Sequence, residues 1–153
     1  MSRINKHIPP IYRYFFYTVL SLCWLTGSVF WLLREFAFIE GDFGPEPHFL
    51  QYPVLQLHGL GAFFMLLSLG AIFTGHIPNT WSLGRAKKSG LWILSAVILS
   101  MCSAYSLYYL VQEDWHLWLG NGHALVGVSL PIILYVHIKI ARNSNAKKKK
   151  CEG

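Results

Sequence analysis

Residues 14–33, 54–77, 89–111 and 117–140 form four long apolar runs, and Lys139 is the only charged side chain in any of them. Each run has the roughly 20 residues that a helix needs to cross the hydrocarbon of a bilayer. A backbone in lipid must satisfy its own N–H and C=O groups, so each run is predicted to be an α-helix. Charged residues make up 13% of the chain, about half the share expected of a soluble domain. The predicted class is an all-α integral membrane protein, a four-helix bundle running up-down-up-down, with the lipid bilayer as its first partner. The first run is longer than a signal-peptide core and has no small-residue cleavage site, so it reads as a retained span.

The formal charge of +6 does not make this a nucleic-acid binder, because that would need the basic residues on one solvated face. All but Lys139 lie instead outside the runs, where they set topology. Placing the N-terminus, the 85–88 loop and the tail on one side gathers Arg3, Lys6, Arg13, Arg85, Lys87, Lys88, Lys139, Arg142 and the four lysines 147–150. The other side keeps Arg34 and the acids Glu35, Glu40, Asp42, Glu46, Glu113 and Asp114. The positive-inside rule then puts both termini in the cytoplasm of a multi-pass protein, in a bacterial setting the inner membrane. Residues 1–12 are a cytoplasmic segment, 13–142 the membrane domain and 143–153 a basic tail. Pro9-Pro10 is expected to stop any helix before the membrane, Pro78-Asn79 to close the second span and Pro131 to bend the fourth. Residues 34–53, with Gly41, Gly44, Pro45, Pro47 and Pro53 as breakers, are expected to be an acidic loop. Trp115 and Trp118 read as an interfacial aromatic belt.

Histidines bracket two of the runs. His58 and His76 stand eighteen residues apart and His123 and His137 fourteen, about 5 and 3.9 helical turns, so each pair shares one helix face. The second and fourth spans run the same way. His58 and His123 are therefore both expected near the outer surface, and His76 and His137 near the inner one, with paired depths differing by about 3 Å. Two imidazoles facing each other at one depth are what a six-coordinate haem iron requires, since the porphyrin supplies the other four nitrogens. Gly59, Gly61, Gly70, Gly75, Gly120, Gly122 and Gly127 lie on the same two runs and would give a flat plate room. They would equally serve plain helix packing. A zinc or copper centre needs all its ligands within about 2–2.3 Å of one ion, which histidines more than about 20 Å apart along a helix cannot provide. A proton pump or ion carrier would be expected to carry acids inside the spans, and there are none. His7 and His48 fall in polar segments. His116 lies two turns before His123 and competes with it as the outer ligand. Arg34, beside Glu35, is the one base available to an outer propionate, with Arg13, Arg85, Lys87 and Lys88 on the inner side.

No Cys-x-x-Cys-His occurs, so covalent haem attachment is excluded, and no Cys-x-x-Cys suggests thiol redox chemistry. Cys23 and Cys102 read as small packing residues and Cys151 as an exposed thiol.

His58-Gly-x-Gly, Gly75-His76, Ser89-Gly90, Leu107-Tyr108-Tyr109, Gly122-His123 and His137 together resemble the small four-helix membrane cytochromes b. This is broadly the cytochrome b561-like group, with a similar logic in the haem bundle of quinol–cytochrome c reductase cytochrome b. The resemblance covers residues 54–142. It implies two non-covalent b haems, axially ligated by His58, His76, His123 and His137, passing electrons across the membrane. In the reductase bundle the ligands on each helix stand about fourteen apart; His123–His137 matches, and His58–His76 is four longer. Some bacterial members of the b561 group take a ligand from the first span, which here has no histidine. The expected function is that of an electron-transfer subunit exchanging electrons with quinone and with a redox partner subunit on the acidic outer face. The alternatives are a cofactor-free membrane anchor or assembly subunit, and an oxidoreductase that reacts with quinone by itself.

Overall fold

A computed structural model describes the backbone of residues 10–82 and 87–151, and the side chains of residues 10–74 and 87–144. Four helices dominate it: α1 (Pro10–Phe36), α2 (Gln51–Ser82), α3 (Lys87–Tyr109) and α4 (Glu113–Cys151). All four are long and apolar enough to cross a membrane. Prolines at the expected boundaries behave by position. Pro10 opens α1 and Pro53 falls in the first turn of α2, where no backbone N–H is needed. The described helix begins at Pro10, and residues 1–9, where Pro9-Pro10 is expected to stop any earlier helix, lie outside the described residues. Pro78 and Pro131 both lie within helices, each at the loss of one i→i−4 hydrogen bond that the long flanking turns outlast. The second span is thus not closed at Pro78-Asn79. Glu113 and Asp114 occupy the first turn of α4, where carboxylates oppose the positive end of the helix dipole.

Residues 1–79 and 80–153 form two compact units. In the first, α1 and α2 run antiparallel and approach closely at glycines. A Cβ on Gly61 would stand 3.3 Å from Cys23 Cα, and Phe15 meets Phe64 edge-on at 6.5 Å. In the second, α3 and α4 pack as an antiparallel pair, held by contacts from Ser103 to His123 and from Ser89 to His137.

What is buried is small: Val19, Thr26, Gly61, Ser68, Ser103 and Gly120. What is exposed is large and apolar, as with Leu125 at 74% and Trp92 at 73%. In water such a surface would drive aggregation. Small residues inside and bulky apolar ones outside is the pattern of helices packed in lipid, where close backbone approach replaces the hydrophobic effect.

The expected acidic loop contains regular structure. β1 (Phe38–Gly41) and β2 (Gly44–Pro47) pair antiparallel around the two-residue turn Asp42-Phe43, with Gly41 opposite Gly44 and Phe38 opposite Pro47. Gly44 has φ +119°, a conformation that L side chains rarely adopt. In this register Gly41 and Gly44 form the narrow pair, so Pro45 and Pro47 occupy positions whose N–H would face away from β1. Neither proline costs the ladder a bond. Glu40, Asp42 and Glu46 are exposed and Phe43, at the tip, is fully so.

Candidate functional site

The chemistry-bearing residues are the histidines of α2 and α4. The side chain of His76 lies outside the described residues. The other three candidate ligands are each half-buried, and each is gripped at Nδ1 by a neighbouring helix.

His58 turns toward α1. Its Nδ1 lies 2.9 Å from the backbone oxygen of Cys23. A carbonyl can only accept, so Nδ1 carries the proton and donates it. The Thr26 hydroxyl is 3.4 Å and the Cys23 sulfur 3.7 Å from the same nitrogen. Thr26 Oγ1 itself donates back to Leu22 O at 2.7 Å. Gly27 lies directly under the ring: a Cβ there would come within 2.7 Å of His58 Cε1.

His123 and His137 turn toward α3. Ser103 Oγ is 2.8 Å from His123 Nδ1 and donates its single proton to Ser100 O at 3.0 Å. With its proton on Ser100 O, the Ser103 oxygen would accept from an Nδ1–H of His123. Ser89 Oγ is 3.0 Å from His137 Nδ1, and His137 Cε1 lies 3.6 Å from where a Cβ on Gly90 would be, an ordinary van der Waals distance.

A neutral imidazole protonated at Nδ1 carries its lone pair on Nε2. Donation of the far ring N–H to a carbonyl or hydroxyl is how metal-ligating histidines are oriented. Of the three described candidate ligands, His58 has that tautomer fixed by the Cys23 carbonyl, and the hydroxyls beside His123 and His137 are able to accept from the same tautomer. Among the described residues no three of His, Cys, Asp and Glu come together, whereas a metal held wholly by side chains needs three or four. A macrocycle that brings four nitrogens needs only two histidines, so the donor set fits haem. The glycines divide. Gly61 serves helix contact, while a Cβ on Gly59, Gly70, Gly122 or Gly127 would meet nothing within 4 Å, so room exists beside both His58 and His123.

The other candidates sort plainly. His116 is exposed in the first turn of α4. His48 Nδ1 accepts from Leu50 N–H at 3.2 Å, and its backbone oxygen accepts from Gln51 N–H at 2.8 Å, so it shapes the entry to α2. Arg34 pairs with Glu35 at 2.6 Å. Tyr105, Tyr108 and Tyr109 cluster, exposed, at the end of α3, as a membrane-interface belt would. Lys87 and Lys88 are exposed at the start of α3; Arg85 and His7 lie outside the described residues. Thr26 and Ser103 were not singled out from the sequence. The signal for Ser103 was available: Ser89 and Ser103 are fourteen residues apart, the same spacing as His123 and His137.

No protein-family model, no curated protein and no solved structure matches this chain.

Proposed function

We propose that this chain is a membrane cytochrome b subunit that binds two non-covalent haems through His58, His76, His123 and His137. The observation that carries the reading is the common treatment of His58, His123 and His137, each held at Nδ1 from a neighbouring helix in the manner of an oriented metal ligand. Matched depth along the sequence pairs His58 with His123 and His76 with His137. Bound haem iron supplies a reversible one-electron couple. The chain's own part is to orient the imidazoles, leave space at Gly59, Gly122 and Gly127, and keep water out with lipid-facing apolar side chains. Both termini face the cytoplasm of a bacterial inner membrane in this reading. Electrons pass between the quinone pool and a redox partner subunit that meets the outer, acidic 38–47 hairpin.

One observation favours a second reading. Hydroxyl–imidazole bonds between helices also serve simply to join spans in lipid, as a cofactor-free anchor or assembly subunit would need. The two readings separate on purification from membranes in mild detergent, followed by a pyridine haemochrome assay. The proposal expects two b haems per chain; a colourless, folded protein overturns it.

A further inference from the structure

Ser89 and Ser103 stand fourteen residues apart on α3, and His123 and His137 fourteen apart on α4. The helices are antiparallel, so each serine meets a histidine at its own level, at 3.0 Å and 2.8 Å respectively. The residue after each serine is small, Gly90 and Ala104, and His137 Cε1 lies 3.6 Å from where a Cβ on Gly90 would be. The first unit has the same device at Thr26-Gly27, where the hydroxyl reaches His58 Nδ1 and the glycine underlies the ring. A hydroxyl followed by a small residue thus stands beside each of the three described candidate ligands.

We infer that Ser103 and Ser89 are positioning residues that set the reduction potentials of two haem sites separately, Ser103 through His123 and Ser89 through His137. The inference rests on the haem reading above. A hydroxyl oxygen accepting from Nδ1–H gives the imidazole more anionic character at Nε2, and a more basic axial ligand favours ferric over ferrous iron. Removing the acceptor should raise the potential of the site it serves and leave the other unmoved. His58 is different in kind. Its acceptor at the shorter distance is the Cys23 carbonyl, which no side-chain substitution removes, so Thr26→Val should act more weakly than Ser103→Ala.

The test is a potentiometric titration of the two haems, followed optically in the full chain purified from membranes. It is run on wild type, Ser89→Ala, Ser103→Ala and Ser103→Thr, with haem content measured alongside. The expected result is a tenfold or larger shift in the ferric-to-ferrous balance, 59 mV for one electron, upward and in one component only. Ser89→Ala should move the opposite component, and Ser103→Thr should restore the wild-type value. Wild type and Ser103→Ala with two haems each and unmoved midpoints would overturn the inference while sparing the haem reading. So would equal shifts of both components, or a Ser103→Thr variant that behaves like Ser103→Ala. A wild-type protein without haem overturns the haem reading and this inference with it.

Discussion

An imidazole that donates from Nδ1 to a backbone oxygen is fixed in tautomer as well as in direction, and His58 has that arrangement with Cys23 O. Its orientation depends equally on the residue below it. Gly27→Ala would put a methyl within 2.7 Å of the ring, so His58 must swing away from Cys23. We predict that Gly27→Ala weakens haem retention at the His58 site by about 10- to 100-fold, the usual effect of a lost outer-shell contact. Dialysis of the purified protein against apomyoglobin measures it. Retention equal to wild type would show that Gly27 is only a spacer. At this scale the sequence made the histidines legible, because their spacing is a helical repeat that no partner residue is needed to see. Thr26 and Ser103 were harder to read. Hydroxyls are ordinary in membrane helices, and their role emerges only when the register of two helices brings them to Nδ1.

Helices were legible as elements because hydrophobic length is a direct demand of the bilayer. Their ends were less so, since proline reads as a breaker although it is well placed in a first turn, as Pro10 and Pro53 are. The hairpin was missed for a related reason. Pro45 and Pro47 argue against a strand until the two-residue turn puts them both at positions outside the ladder. Gly44, at φ +119°, is the residue this turn cannot easily exchange. Gly44→Val should destabilise the hairpin locally by about 1–3 kcal/mol. Limited proteolysis of the 38–47 segment should speed up while haem content stays at the wild-type level; unchanged cleavage would contradict the turn. Gly61→Leu is the corresponding test of the α1–α2 pair. A side chain there meets the Cys23 backbone at 3.3 Å and should force the helices apart, lowering the thermal midpoint in detergent. An unchanged midpoint would mean that the contact does not bear on stability.

At the scale of the whole molecule, four apolar helices with bulky side chains exposed make a multi-pass membrane protein, and the charge pattern carries the proposed orientation. If both termini face the cytoplasm, as proposed, an impermeant thiol reagent added to sealed right-side-out cells should label Asp42→Cys and spare Cys151. Labelling of Cys151 from outside would reverse the topology. In the function proposed here, four histidines serve two haems in crossed pairs. Its most direct test is the reduced-minus-oxidised visible spectrum, with haem quantification, of wild type and the single variants His58→Ala, His76→Ala, His123→Ala and His137→Ala. Two b haems are expected in wild type and one in each variant, with His58→Ala and His123→Ala losing the same spectral component and His76→Ala and His137→Ala losing the other. Two haems retained in any of these variants, or no haem in the wild-type chain, would contradict it.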